Sequence, residues 1–593
     1  MGLMYGLRTG GGITEMVEQH DYVIIGAGPG GLQMGQHLAR AGRSYVILES
    51  GDRAGFFFTR FPRHRRLLSI NKRFNWFPEP EFNMRHDWNS LLSDDEGGPL
   101  FSSHSELLYP DADAMVAYLG DYARHHSLDV RYGRAVCRVE RTADGGFEVE
   151  DARGGTYRCR RLLAGTGAVA PRRPTDVEGI EHASGYYDHE LGPDCYRGKR
   201  VAIIGRGNSA FEVADHLAGD AAIVHLFTTR PVKHAWSTHY PGDLRAINNT
   251  ILDMYQLKSL HATLGFRLKA IRPRSDGALD VVAEEEYPHW DPPRVGQVTL
   301  VYDHVIHCTG WNYADVSIFE EDCRPELDER GKYPRLSSTW ESTVPGLYYI
   351  GTAMQSIDRK AASSFIHGFR YNVRTLFHIL QERDHAVPYP GRSFTLDTDD
   401  DLATLAELLV RRVSTTAALY QQFGFLCDVL VLERSRARLL LELPVSYVHD
   451  QPSLWGAQDL IVLTLEYGFH RYPHDAPTLD FIHPADPAKP RCSAYLHPVL
   501  RHYRRGELID EMELGESLVV RYDHYDYAEN NPRAHVNSVR SFIEAVTARQ
   551  SVARSTPVYT PEAERQVLRP WPADRPLPEP WSQEDSECRF ARE

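Results

Sequence analysis

The hydrophobic pattern begins with an unbroken apolar, β-branched run, Tyr22-Val-Ile-Ile25, which reads as a strand buried on both faces. Leu32 to Ala41 then repeats apolar residues at helical spacing, and Gly42 is placed to stop that helix. Tyr45-Val-Ile-Leu48 is a second buried strand. Tyr109 to Arg124 predicts another helix, with Asp111 or Asp113 as its cap. Short strands are predicted over Val130–Tyr132, Cys137–Arg141, Phe147–Glu150 and Tyr157–Leu163. From Lys199 the opening rhythm returns, with a strand, a helix through Leu217 and a strand over Ala222–Phe227. Val301 to Cys308 and Leu347 to Ile350 read as further strands, and Ala361 to Leu380 as the start and body of a long helix. Beyond Pro388 the pattern changes. Leu402 to Glu442 reads mainly helical, whereas Leu460–Tyr467 and Ser517–Tyr522 read as strands.

What stands between these elements carries the chemistry. Gly26, Gly28 and Gly31 form G-x-G-x-x-G between the first strand and helix. Gly26 permits the tight turn, Gly28 lets a pyrophosphate approach the backbone, and Gly31 lets the helix pack close to the strand. Glu49 ends the second strand, about twenty residues on, where an acid accepts from ribose hydroxyls. Gly205, Gly207, Asn208 and Ser209 repeat the turn as G-x-G-x-x-A. The strand after it ends not at an acid but at Arg230, with Lys233 nearby. An arginine there favours a 2′-phosphate, hence NADP(H), unless it is only a solvated strand end. Gly310 and Gly351 close two later strands and offer further turns to a cofactor. The loop Gly51 to Arg66, basic and aromatic, reads either as a solvated surface loop or as a cover over a flat cofactor, with Arg60 on an anionic group.

Two dinucleotide folds in tandem imply a flavin plus nicotinamide enzyme. The expected architecture is α/β: an FAD-binding domain over 18–190 and 311–388, an NADP-binding domain over 191–310 inserted in it, an α+β extension over 395–550, and a Pro-rich tail over 551–593. A chain of 593 residues fits that count. The formal net charge of -15 disfavours nucleic acid as a main partner. The 8 cysteines contain no C-x-x-C, which argues against a dithiol centre. No H-E-x-x-H or other metal signature occurs, and His125-His126 reads as a solvated pair on a helix. No apolar run of the roughly eighteen residues needed to span a bilayer occurs, so a cytoplasmic enzyme without a membrane partner is expected. A homo-oligomer is left open.

Over roughly Tyr22 to Leu380 the chain resembles the flavin-containing monooxygenase superfamily. The resemblance rests on Leu68-Ser-Ile-Asn71-Lys, Gly205-Arg-Gly-Asn-Ser-Ala-Phe-Glu and Cys308-Thr-Gly-Trp. The motif F-x-G-x-x-x-H is only partly kept, as Ala183-Ser-Gly185-Tyr-Tyr-Asp-His189, with Ala183 in place of the aromatic. Phe58-Thr-Arg-Phe-Pro-Arg-His-Arg, Arg85-His-Asp-Trp-Asn-Ser, Thr238 to Asn249 and Phe365-Ile-His-Gly-Phe-Arg370 resemble a narrower branch. That branch includes an endoplasmic-reticulum flavoprotein and bacterial L-aspartate N-monooxygenases that form nitrosuccinate.

The resemblance implies that NADPH reduces FAD and that a C4a-peroxyflavin passes oxygen to a small-molecule amine, with O2 as co-substrate. Asn71 is then the donor near the flavin, unless it merely caps a turn. A base that delivers the amine neutral would come from His86, Asp87 or His239. A small acidic amino acid such as L-aspartate would pair with Arg245, beside Asn249, and with Lys360 and Arg370. A flavin reductase or oxidase acting on a protein or quinone, and a flavoprotein interaction module, are the competing readings.

Overall fold

The computed structural model describes residues 17–95, 97–287, 294–433, 435–451, 454, 459–467, 496–515, 517, 519–524 and 532–552. The expected Pro-rich tail therefore lies almost wholly outside the described residues. The described chain divides into two units: residues 1–74 with 87–374, and residues 75–86 with 375–593.

The first unit is built on β1 (Val17–Ile25), α1 (Pro29–Arg40), β2 (Tyr45–Glu49), α2 (Ala112–His125), β3 (Val130–Tyr132), β4 (Val136–Arg141), β5 (Phe147–Asp151) and β6 (Thr156–Ala164). The strand order is β3-β2-β1-β6-β5-β4. β1 pairs in parallel with β2 and β6, and β6 turns back antiparallel through β5 and β4. The apolar run Tyr22–Ile25 is buried on both faces, as a central parallel strand requires.

After the short β7 (Ala170–Pro171) and β8 (Ser184–Gly185) a second sheet forms from β9 (Arg200–Ile204), β10 (Ile223–Phe227), β11 (Ala262–Leu264) and, later, β15 (His304–His307). Its order is β11-β10-β9-β15-β8, with all pairs parallel. α3 (Asn208–Leu217) follows β9. An antiparallel sheet of β12 (Phe266–Pro273), β13 (Leu279–Tyr287) and β14 (Arg294–Tyr302) leads into β15. The single strand expected over Val301–Cys308 is thus two. Asp303 interrupts it, accepting from the Arg200 main chain and guanidinium. β16 (Trp311–Asn312) pairs with β7, and β17 (Leu347–Tyr349) returns to pair with β6. The second nucleotide fold thus sits inside the chain of the first.

α4 (Ile366–His385) begins in the first unit and continues into the second. The second unit holds a six-stranded sheet, β18 (Gly391–Thr395), β19 (Leu426–Glu433), β20 (Arg436–Pro444), β21 (Asp459–Tyr467), β22 (Leu496–Arg504) and β23 (Glu507–Glu513), in the order β18-β20-β19-β21-β22-β23. α5 (Asp399–Thr415) and α6 (Pro532–Val552) complete it. The mainly helical reading of Leu402–Glu442 is corrected here, because only its first part is helical and β19 and β20 pair as an antiparallel hairpin. The strand expected over Ser517–Tyr522 is also corrected. The Ser517 hydroxyl donates to the Arg521 carbonyl and accepts from its N–H, which curls the chain.

Candidate functional site

The first glycine turn makes a different demand at each of its glycines. Gly26 has φ +100°, and a Cβ there would meet the Gly165 carbonyl at 2.6 Å. A Cβ on Gly31 would lie 1.9 Å from the Gly26 carbonyl oxygen. A Cβ on Gly28 would meet nothing within 4 Å. Gly28 is the N-cap of α1, whose first turn has no side-chain cap and no acid. Its N–H groups and positive dipole end therefore face the open side of the turn, which fits a pyrophosphate. Gly30 packs on Gly351, where a Cβ would meet the Gly351 Cα at 2.6 Å, so the later turn closes on the first. Glu49 is buried and accepts from the Ala27 and Gly51 N–H groups, both at 2.7 Å. It stiffens the turn and keeps lone pairs for a ribose.

The second turn repeats this. Gly205 has φ +146° and abuts the Cys308 carbonyl, while Gly207 faces open space and is the N-cap of α3, again without side-chain cap or acid. Arg230 is exposed three residues past β10, and Arg206 reaches the Pro231 carbonyl beside it. A small cleft lies at the carboxyl end of β15, lined by Ser209, Gly310, Arg172, Tyr187, His307 and Trp311. It stands where the parallel strand order reverses across β9, the position at which such sheets hold dinucleotides. Asn208, expected at the cofactor, opens α3 and turns its side chain to the later segment Gly242–Arg245. Its amide donates to the Gly242 and Asp243 carbonyls, and its oxygen accepts from the Arg245 N–H at 3.0 Å.

The loop after Gly51 is neither free surface nor simple cover. Phe57 and Phe61 pack on Trp311, and Arg63 donates to the His189 carbonyl. The His64 N–H donates to Glu212 of α3, and its ring stacks on His216 at 3.9 Å. Arg60 stays exposed over the Phe56 ring.

The residues expected at the substrate separate. Asn71 is buried and donates to the Ser105 carbonyl at 2.7 Å, with amide capacity left over. Asp87, expected as a base, holds a turn: its carboxylate accepts from the Asn89 and Ser90 N–H groups and the Ser90 hydroxyl. His86, also expected as a base, packs between Phe82 and Tyr420 in the second unit. His239 closes the short helix Ala235–Thr238 in a left-handed conformation, φ +57°. Lys360 is exposed. Arg370 is buried, and its guanidinium donates to the Ser90 carbonyl at 2.7 Å and to the Tyr371 hydroxyl.

Arg245 is the exception. Its guanidinium is buried and lies over the Trp88 indole at 4.5 Å. Its Nη1 takes no hydrogen bond among the described residues, and the Asn249 amide oxygen is likewise buried without a partner. Burial pulls the Arg245 pKa down to about 10. Trp88 and His367, which stack on each other at 4.7 Å, were not singled out as site residues by sequence. Their only signal was membership of the motifs around Asp87 and Arg370.

Residues 23–351 match the family pattern for pyridine nucleotide-disulphide oxidoreductases. The chain belongs to that family. It is 37% identical over 524 residues to FAD-dependent oxidoreductase domain-containing protein 2 of Mus musculus, covering 82% of this chain and 76% of the relative. The Danio rerio protein of the same name is 35% identical over 536 residues, with the same coverage of 82% and 76%. A solved flavin-containing monooxygenase from Stenotrophomonas maltophilia is 20% identical, with a TM-score of 0.46 over 61% of this chain and 98% of that one.

As a pyridine nucleotide-disulphide oxidoreductase the chain uses FAD and NADPH, and the two open glycine turns are the places that fit their pyrophosphates. The disulphide chemistry in the family's name needs paired thiols. The sequence has no C-x-x-C, and Cys159, Cys308, Cys323 and Cys427 are buried free thiols whose pKa values burial pushes up. The chain is an FAD-dependent oxidoreductase. His125 and His126, expected to be solvated, lie 3.6 and 3.4 Å from an Asp95 carboxylate oxygen at the end of α2. No helix among the described residues is long and apolar enough to cross a membrane.

Proposed function

We propose that the chain is an FAD- and NADPH-dependent monooxygenase that oxygenates the amine of a small acidic amino acid, with L-aspartate the leading substrate. The observation that carries this reading is Arg245. A buried guanidinium without a carboxylate costs several kcal/mol unless an anion arrives to pair with it. The Trp88 face fixes the plane of the guanidinium, and the Asn208 side chain holds its backbone, so the fork is pre-aimed for bidentate pairing.

When bound, the reduced flavin supplies oxygen activation and transfer. The chain's part is to bind, orient and exclude water. Gly28 and Gly207 admit the two pyrophosphates, Arg245 holds a substrate carboxylate, and Asn71 offers an amide donor.

The test is O2-dependent NADPH consumption by the FAD-loaded enzyme with L-aspartate, L-glutamate, neutral amino acids, diamines and arylpyruvates. Hydroxylamine, nitroso and nitrite products are followed by mass spectrometry. Acidic amines should give coupled product, and Arg245→Leu should raise their KM by at least about a hundredfold, the cost of stranding one partner of a buried pair. Product from only a neutral or cationic amine would refute the acidic-substrate reading. Peroxide without oxygenated product from any compound would refute the monooxygenase.

A further inference from the structure

The stack that holds Arg245 has a third member. His367, the second residue of α4, lies against Trp88 with ring centroids 4.7 Å apart and planes 22° from parallel. Arg245 lies over the same indole at 4.5 Å. His367 is fully buried, and neither ring nitrogen completes a well-formed hydrogen bond, although the Trp88 main chain faces the ring. Phe365 covers it at 5.7 Å. The charged groups acting on His367 are Arg370 on its own helix and Arg245 from the segment before the Ala246–Asn248 turn. Burial, then Arg370, then Arg245 all oppose a charge on the imidazole, which is held neutral well below its usual range.

This arrangement is lopsided. The Arg245 guanidinium and a neutral imidazole share one indole, a second buried guanidinium, Arg370, also acts on the imidazole, and none of the charges acting on His367 is an acid. A carboxylate that pairs with Arg245 cancels the smaller of the two guanidinium repulsions on His367 and adds the negative charge that the stack lacks. Both changes favour protonated His367. The same anion thus recruits protonated His367 as a cationic partner beside Arg245.

We infer that Trp88, Arg245 and His367 form a proton-coupled carboxylate site, in which a small carboxylate pairs with the Arg245 guanidinium and His367 takes up one proton from solvent as the anion enters. For its ligand class this rests on the acidic-substrate reading. The step is pure association: no covalent bond changes, and the proton comes from buffer. Binding therefore tightens as pH falls, by about tenfold per pH unit while His367 is neutral in the free enzyme and protonated in the complex.

The test uses succinate, which carries the two carboxylates but no amine to oxygenate. Titration calorimetry on the full-length, FAD-loaded enzyme is run at one pH in phosphate and in Tris, whose ionisation enthalpies differ. The expected result is net proton uptake on succinate binding, and an affinity that rises as pH falls, by at most about tenfold per pH unit. His367→Phe keeps an aromatic partner for Trp88. It should bind succinate more weakly, with no buffer dependence and a flat pH profile, and His367→Gln should behave alike if the phenyl ring disturbs folding. Flavin absorbance and near-ultraviolet circular dichroism report whether each variant is intact. Wild-type binding without buffer dependence would overturn the proton coupling and leave the acidic-substrate reading standing. Proton uptake that survives in both His367 variants would overturn the role of His367. Proton-coupled succinate binding by an enzyme that oxygenates no acidic amine would uphold the site and refute the substrate reading. No binding of succinate or L-aspartate would refute both.

Discussion

At the residue scale the two kinds of glycine in the first turn make opposite demands. Gly31 is required by the protein itself, because a Cβ would sit inside the Gly26 carbonyl oxygen. Gly28 is required by nothing in the protein, since a Cβ there finds open space. The contrast with α5 sharpens the point. That helix closes its own N-terminus with a Thr398–Asp401 capping box and three acids in its first turn, whereas α1 keeps its first N–H groups uncapped by any side chain and has no acid there. Gly28→Val should therefore fold with a near wild-type melting temperature yet purify without flavin absorbance. Gly31→Ala should lose stability whether or not flavin is supplied. Full flavin occupancy in Gly28→Val would show that the pyrophosphate does not pass there.

At the element scale, the hydrophobic runs and glycine turns of both nucleotide folds were legible because local pattern and tertiary role coincide. Tyr22–Ile25 is apolar because it is central, and Gly26 is glycine because its φ is positive. The β19–β20 hairpin was not legible. Its leucines, arginines and glutamates fit helical composition, and only pairing across the sheet decides against it. The Arg245–Trp88–His367 stack was half legible. Arg245 stood out as a cation in a polar stretch, but its partners lie far away in sequence and only the fold joins them. The loop over Phe56–Arg66 was open between two readings, and the structure seats it on the second nucleotide fold through the half-buried His64, which stacks on His216 and lies near the buried His189. Burial, with His216, His189 and Arg63 nearby, pushes the His64 pKa down to about 3, and burial lowers His189 too. A histidine depressed in the folded state contributes stability that is present above its unfolded pKa of about 6.5 and lost as pH falls toward its folded value. Thermal stability should thus decline from pH 6.5 to pH 5, before the carboxylates titrate. His64→Phe should flatten that decline. An equally steep loss in the variant would place the sensitivity elsewhere.

At the scale of the whole molecule, a short excursion from the first unit contributes to the second. Residues 75–86 group with 375–593, and Arg85 shows why. Its side chain is fully buried and donates to the Thr416, Val520 and Val413 carbonyls at 2.8, 3.0 and 2.7 Å. Its Cζ lies over Phe82 at 5.0 Å and Tyr420 at 4.8 Å. Burial pulls its pKa down to about 10, so the charge is kept at a cost. Two effects then compete in Arg85→Met. Removing a buried charge relieves desolvation, while stranding three carbonyls costs about 1–3 kcal/mol each. Three orphaned acceptors at one place outweigh one relieved cation, and the net loss should be about 2–4 kcal/mol. Arg85→Lys keeps the charge but has no planar fork to reach three carbonyls at once, so it should lose nearly as much. The measurement is the urea midpoint of each variant at constant flavin content. Because both glycine turns lie in the first unit, the flavin should stay bound before the transition. If Met and Lys variants both unfold at the wild-type midpoint, the three carbonyls find other donors and Arg85 is not what fastens this segment into its unit.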